Sequence, residues 1–291
     1  MVVSLNDPVE VGAGPIKIAS ITSPRPRRAR ESNSWPVRLL QLGVLILIFG
    51  GWQLAATLNW ISPAFTSSPS RFFPAFWHGM TSNTLPPLMG TTLFETFVGF
   101  AVGSALGIVM GILMAEFKVL NLALRPFMTG FNALPRIALA PLFVLWFGLG
   151  SMSRIVLIVS LGFFIVTFNT YAGMQSCDRD RLLLAKVLGA TRWERFTKFV
   201  LPSAVPSIFT GLQLNLSYAF LGAVVGEMLS GSQGLGGYLA LQMGSFDIDA
   251  FFGALVLLVI VALVCSMGMR LIESRLLRWR AIELRGVQGA A

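Results

Sequence analysis

Three ionisable residues lie inside or beside long apolar stretches of the sequence, and these are Glu95, Arg136 and Glu227. An ionised group is costly at membrane depth, so it normally faces a protein interior or a water-filled path. We therefore name them as candidates for a translocation path, together with the amides of Gln213 and Asn215. Structural alternatives stay open: a helix cap for Glu227, an interfacial position for Glu95, a helix end for Arg136, and interhelical hydrogen bonds for the amides.

Two other features resemble reaction chemistry but lack its context. Residues 229–233 read L-S-G-S-Q, close to an ATPase signature loop, yet the sequence has no G-x-x-x-x-G-K-[ST] phosphate loop. His78 is the only histidine, and Cys177 and Cys265 are the only cysteines, so neither a metal-ligand cluster nor a disulfide framework is indicated. We expect that this chain is not an enzyme and holds no cofactor or metal.

The composition places these residues in a membrane protein. The 291 residues are 55% hydrophobic and 12% charged, whereas soluble domains carry about 25% charged residues. The net charge of +9 is spread between apolar stretches instead of forming one basic patch with interleaved aromatic residues, so binding to nucleic acid is not indicated.

Six apolar stretches are each close to the length that a membrane-spanning helix needs, which is about 20 residues. Their long, unbroken pattern differs from the alternation typical of a membrane barrel. We predict an all-α, polytopic membrane domain over residues 35–280, with the spans near 37–58, 91–115, 127–147, 155–174, 208–229 and 251–272.

Basic residues predict the orientation of these spans. They are concentrated in residues 1–34, in the turn with Lys118 and Arg125, in 179–198 and near the C-terminus. By the positive-inside rule both termini are cytoplasmic. Residues 1–34 lack an apolar face and are predicted to be a disordered basic tail, and 281–291 are predicted to be a second cytoplasmic tail.

The second span carries a stripe of glycines at Gly99, Gly103, Gly107 and Gly111. A spacing of four residues places them on one helix face, where another backbone can approach closely. Helix packing is the favoured interpretation, and lining of a pore is the alternative.

The longest polar insertion between two spans covers residues 178–206, which we call the knuckle. It is too long for a plain connector. Leu184, Val187 and Leu188 share one face of a predicted helix, which Gly189 weakens.

A second short helix is predicted within the knuckle. The run T-R-W-E from Thr191 to Glu194 matches a capping box. Pro202 is expected to end this helix, and Pro206 suits the first turn of the next span. The knuckle is thus predicted to be a helix-turn-helix projection, with an amphipathic segment lying on lipid as the alternative.

Four positions give the knuckle a family resemblance. Ala185, Gly189, Leu201 and Pro202 resemble the EAA loop of ATP-binding-cassette importer permeases, in which Leu-Pro follows a glycine by twelve and thirteen residues. The usual Glu-Ala of that motif is replaced here by Leu183 and Leu184, so no role of the Glu is carried over.

Three further runs are similar to the nitrate, sulfonate, taurine and bicarbonate branch of these permeases, and the similarity covers residues 69–279. The runs are A-L-P-R-I-A-L-A-P-L-F-V-L-W-F-G-L-G at 133–150, V-V-G-E at 224–227 and G-L-G-G-Y at 234–238.

The resemblance implies a type I importer permease (MetI-like) fold in the bacterial inner membrane, with about six transmembrane helices and a cytoplasmic coupling helix. It also implies a homodimer, two cytoplasmic ATPase subunits that bind ATP and Mg, and an extracytoplasmic solute-binding protein. The residues expected to contact the ATPase are Ala185, Leu188, Gly189, Ala190, Arg192, Trp193, Phe196, Leu201 and Pro202.

The solute implied by the resemblance is small and polar, such as a sulfonate-, taurine- or nitrate-like anion or a related organic compound. An ATP-independent secondary transporter or channel is the alternative. Broken helices in paired half-repeats, or a chain of buried ionisable groups, would favour that alternative, and neither is evident in the sequence.

Overall fold

The structure, a computed structural model, describes residues 34–277 except 59, 61, 63, 64 and 232. The predicted tails at 1–34 and 281–291 lie outside the described residues, apart from Ser34. Residues up to Phe49 form one unit, whose described part is the first part of a helix with exposed side chains from 37 onward. The packed core lies in the second unit, Gly50–Ala291.

Every regular element among the described residues is helical. The α-helices are α1 (Ser34–Thr57), α2 (Pro69–Thr81), α3 (Leu85–Glu116), α4 (Lys118–Ala133), α5 (Ala140–Phe147), α6 (Ser151–Gln175), α7 (Arg179–Val187), α8 (Arg192–Arg195), α9 (Leu201–Ser230), α10 (Gly234–Gly244) and α11 (Ile248–Leu276). A 3₁₀ turn, Arg136–Leu139, precedes α5, and a π-helical turn, Phe196–Val200, joins α8 to α9.

Five of the described helical segments are long and apolar enough to cross a membrane, and a sixth span results if one bent pair counts as a single span. The prediction of about six spans is confirmed, but the third is not the single helix that the sequence predicted. It consists of Lys118–Ala133 and Arg136–Phe147, bent by 81°. The break lies at Leu134, whose extended ψ of 136° is typical of a residue before proline.

Helices α3, α6 and α9 form the centre of the bundle. The glycine stripe of α3 faces α6: a methyl group at Gly103 would lie 3.3 Å from the Val159 Cα, and one at Gly107 would lie 2.8 Å from the Phe163 carbonyl oxygen. The prediction that the stripe serves helix packing is confirmed. Close backbone approach here requires residues without side chains.

The segments around α2 and α10, which the sequence analysis treated as connections, also form helices. A buried apolar cluster joins these two helices to the neighbouring ends of α3 and α11. It contains Leu85, Leu235, Leu239, Ala254 and Leu257. The start of α2 had a readable signal, because Ser68 precedes Pro69 at the first helical position.

The prediction that Pro202 ends the second knuckle helix is wrong. Residues Arg192–Ser230 form one continuous helical segment, with Pro202 and Pro206 inside it. Proline lacks an amide donor and crowds the preceding turn. The π-helical turn before Leu201 widens the helix at this point, and the Leu201 amide donates to the Phe196 carbonyl oxygen.

Candidate functional site

The knuckle is fixed by local hydrogen bonds that the sequence specifies. Asp178 caps α7 by accepting a hydrogen bond from the Asp180 amide at 3.0 Å. The predicted capping box is confirmed, because the Thr191 amide donates to the Glu194 carboxylate at 3.0 Å and the Glu194 amide donates to the Thr191 hydroxyl at 3.2 Å. Between the two helices, Gly189 adopts a φ of +78°, which suits glycine and reverses the chain.

The first helix of the knuckle presents apolar side chains to its surroundings. Leu184, Val187 and Leu188 are 60–77% exposed, as is Trp193 in the following turn. The Trp193 ring stacks on Phe196 at a centroid distance of 5.7 Å. An apolar surface of this kind on a charged projection is typical of a protein interface.

The second helix of the knuckle packs its apolar side on the bundle. Phe196 and Val200 contact a buried cluster formed by Met174, Ala204 and Ile208. This helix continues into α9, so the knuckle is joined without a break to a central helix of the bundle.

A groove of about 420 Å³ lies between the knuckle and the end of α3. Its walls include Leu113, Phe117 and Trp193, and an ion pair between Arg192 and Glu116 at 3.5 Å lies at its edge. Trp193 therefore lines a groove of its own chain while most of its ring stays exposed.

The remaining residues predicted to contact an ATPase differ in accessibility. Ala185 is buried, and Ala190, Leu201 and Pro202 are partly buried. Leu188 and Trp193, by contrast, belong to the accessible surface of the knuckle. Contact with an ATPase stays a prediction for all of them.

A buried ion pair connects α3 to α6 at the opposite end of the bundle. Glu95 and Arg154 are 0% and 1% exposed, and their carboxylate and guanidinium lie 3.1 Å apart. Arg154 also donates to the backbone carbonyl of Gln233 at 3.1 Å. This single guanidinium therefore ties together α3, α6 and the connection before α10.

Glu227 lies in the same region and is also fully buried. One carboxylate oxygen accepts a hydrogen bond from the Thr92 hydroxyl at 2.8 Å, and the other accepts one from the Gly236 amide at 2.7 Å. The Thr92 hydroxyl in turn accepts from the Leu235 amide at 2.9 Å. Glu227 thus binds the first turn of α10, where backbone amides favour negative charge. We call Thr92, Glu95, Arg154 and Glu227 the buried polar cluster.

Arg136 lies apart from this cluster, at the break of the third span. It donates to the carbonyl oxygens of Ser160 and Leu161, both at 3.1 Å, and stands over the Phe164 ring. Its position at the start of the 3₁₀ turn agrees with the helix-end alternative.

Both amides that the sequence proposed for the path form interhelical hydrogen bonds. Asn215 donates to the Ser104 hydroxyl on α3 at 2.8 Å, and Gln213 donates to the Glu273 carboxylate on α11. The role of Glu95, Arg136, Gln213, Asn215 and Glu227 in a solute path stays a prediction.

Sequence reasoning missed Arg154, the partner of Glu95. It lies in the first turn of α6, directly before the apolar stretch, and this position reads equally well as an interfacial residue. Residues 229–233, which resemble an ATPase signature loop, include Gln233, whose backbone carbonyl accepts a hydrogen bond from Arg154. Among the described residues, no group of three His, Cys, Asp or Glu side chains is placed to hold a metal ion.

Comparison with known proteins identifies the family. Residues 103–278 match the sequence profile of the family described as "Binding-protein-dependent transport system inner membrane component". The chain is 34% identical to the riboflavin transport system permease protein RibX of Chloroflexus aurantiacus, over 90% of this chain and 97% of that protein. It is 30% identical to the putative aliphatic sulfonates transport permease protein SsuC of Bacillus subtilis, over 92% and 96%.

The fold is similar to that of a solved transporter. Against the inward-facing MetNI methionine ABC transporter the TM-score is 0.54 at 21% identity, covering 62% of this chain and 91% of that chain. The expected MetI-type fold is therefore confirmed.

Proposed function

This chain belongs to the family of binding-protein-dependent transport system inner membrane components, and we propose that its knuckle transmits the motion of partner ATPase subunits to the membrane helices. As a member, it is an inner-membrane permease subunit of an ATP-binding-cassette importer and works with ATPase subunits. Its relatives are transport permeases, which are not themselves enzymes.

The exposed apolar surface of the knuckle carries this proposal. Leu188 is 76% exposed and Trp193 is 71% exposed, and burial of such side chains by a partner is a large source of binding energy. The capped, continuous connection to α9 makes the knuckle stiff enough to carry a displacement. When the ATPase subunits close on nucleotide, α9 moves with the knuckle and access switches from one side to the other.

In the complete importer, two copies of this chain form the path, and two cytoplasmic ATPase subunits bind ATP and Mg and perform the hydrolysis. Both chain termini face those subunits, in agreement with the basic residues near them. A solute-binding protein delivers cargo on the other side. The chain itself requires no cofactor.

The proposed cargo is a small polar solute, such as a sulfonate-, taurine- or nitrate-like anion or a related small organic compound. Two relatives, a riboflavin transport permease and a putative aliphatic sulfonates transport permease, support this range. Glu95, Arg136, Gln213, Asn215 and Glu227 are proposed to shape the path, either by contact or by holding the helices that line it.

Replacement of Trp193 by aspartate tests the docking surface. We expect Trp193→Asp to weaken ATPase association by at least about 30-fold, because a buried aromatic anchor contributes about 2 kcal/mol or more. The measurement is the affinity of the purified permease for its ATPase subunits in lipid nanodiscs.

Trp77→Asp is the matched control, because Trp77 is 63% exposed but lies on α2, away from the knuckle. It should leave the affinity unchanged. Equal affinities for the Trp193 variant and the unmodified chain would remove Trp193 from the docking surface.

A further inference from the structure

A buried guanidinium that has no counter-charge among the described residues lies at the break between α4 and α5. Arg136 is 9% exposed, and its two carbonyl acceptors, Ser160 and Leu161, are the tenth and eleventh residues of the 25-residue helix α6. The guanidinium therefore lies near the middle of a membrane span. An ion at this depth is costly unless an opposite charge can reach it.

All the partners of Arg136 are neutral. Besides the two carbonyls of α6, they are the Asn132 backbone carbonyl at 3.4 Å, the Asn132 amide oxygen at 2.5 Å and the Phe164 ring, whose centroid is 4.2 Å from the guanidinium carbon. None of the ion pairs in the described part of the chain includes Arg136, and its Nε has no hydrogen-bond partner there. These contacts orient the group but leave its positive charge uncompensated, unlike that of Arg154.

A cavity of about 440 Å³ opens beside this guanidinium. Its walls are mainly apolar, and Asn132 and Tyr218 contribute two polar side chains to the same lining. A cavity of this size with apolar walls and a few convergent polar groups is typical of a site for a small organic molecule. The apolar walls are provided by Leu134, Ile137, Leu161 and Ile165.

We propose that this cavity receives the transported solute, that Arg136 binds its anionic group, and that the solute is an organic anion with an apolar part. The proposal rests on the proposed function, because it assumes that the path of the importer passes the break. A carboxylate, sulfonate or phosphate supplies the missing charge, and an apolar body fills walls that a bare inorganic anion would leave without contacts. A lipid phosphate has the same charge, so the test separates the two sources.

The test measures the charge preference of the cavity directly. Cys177 and Cys265, the only cysteines of the chain, are replaced by serine, and Tyr218→Cys is introduced into the permease–ATPase complex in nanodiscs. The cysteine is labelled with a sulfonate-bearing and a trimethylammonium-bearing methanethiosulfonate of similar size. The ratio of the two rates cancels any change in thiolate fraction, and Trp77→Cys, at an exposed position, corrects for intrinsic reactivity.

We expect the anionic reagent to be favoured at Tyr218→Cys by about tenfold over the control position, because a nearby buried charge acts through a lower dielectric than water. Arg136→Lys should keep this preference and Arg136→Gln should abolish it. The proposal would be overturned if the ratio of the two rates at Tyr218→Cys equalled the ratio at Trp77→Cys. This comparison is made in the chain with native Arg136, so it does not depend on the folding of an Arg136 variant. An unchanged preference in Arg136→Gln would overturn it as well.

A protection experiment then identifies the source of the anion. Benzenesulfonate should slow labelling of Tyr218→Cys, whereas the neutral benzenesulfonamide should not. Protection by phosphatidylglycerol alone, with none by benzenesulfonate, would assign the site to a lipid and contradict the proposal. The labelling does not depend on ATP. If the unmodified permease failed to associate with the ATPase subunits, the proposed function would be contradicted, but these labelling rates would not change.

Discussion

The two ends of the bundle differ in which side chains they bury and which they expose. At one end, the buried polar cluster encloses charged side chains, with Glu95 and Glu227 both 0% exposed. At the other end, the knuckle leaves Leu188 and Trp193 largely exposed. At the first end an ion pair holds Glu95 and hydrogen bonds hold Glu227 within the chain, whereas at the second end the apolar side chains stay exposed.

This difference indicates that the first end is stabilised by contacts within the chain and that the second end presents a surface for a partner. Arg154, Thr92 and the amide of Gly236 provide partners within the chain for the two buried carboxylates. The exposed leucine and tryptophan side chains can be removed from water only by another subunit or by lipid. Mutations at the two ends should therefore affect different properties: stability at the first and assembly at the second.

Loss of Arg154 should have the largest effect on stability. Arg154→Met leaves Glu95 buried without its partner, which we expect to cost about 3–5 kcal/mol. The measurement is thermal unfolding of the purified permease in detergent.

Arg71→Met is the matched control, because Arg71 forms a similar ion pair with Asp249 at 2.8 Å, but the Arg71 side chain is 50% exposed. Removal of such an accessible pair should cost about 0–1 kcal/mol. Equal losses for the two variants would show that burial of the Glu95–Arg154 pair does not set its energetic role.

A smaller loss is expected where α10 meets Glu227. In Gly236→Ala the added methyl group would collide with the Val224 carbonyl oxygen and lie 3.0 Å from the Glu227 Cβ. We expect a loss of about 1–3 kcal/mol in the free energy of unfolding, measured in the same way.

Gly244→Ala provides the control within the same helix, because a methyl group at Gly244 would have no atom within 4 Å. Since alanine favours a helix by up to about 1 kcal/mol relative to glycine, this variant should be neutral or more stable. A Gly236→Ala variant as stable as Gly244→Ala would contradict the close packing of α10 on Glu227.

Features that depend on residues close in sequence were predicted well. The capping box from Thr191 to Glu194 and the turn at Gly189 follow from a few adjacent residues and appear in the structure. The spans follow from stretches of apolar residues that lipid must cover. The packing role of the glycine stripe of α3 was also predictable, because helical spacing alone puts its members on one face.

Features that depend on distant residues were not predicted. Glu95 and Arg154 are far apart in the sequence, and nothing near either residue specifies the other. The path of the chain through Pro202 was misjudged for a different reason: the π-helical turn accommodates the proline without ending the helix. The bend at Leu134 had a local signal in Pro135, but the uniform hydrophobicity of the stretch suggested a single helix.

The central claim is that a stiff knuckle transmits ATPase motion, and ATP-driven uptake by Gly189 variants tests it most directly. Gly189 has a φ of +78°, which proline cannot adopt, so Gly189→Pro should reduce uptake by at least about tenfold with normal amounts of protein in the membrane. Gly189→Asn, which tolerates this conformation, should retain uptake. Normal ATP-driven uptake by Gly189→Pro would contradict the account.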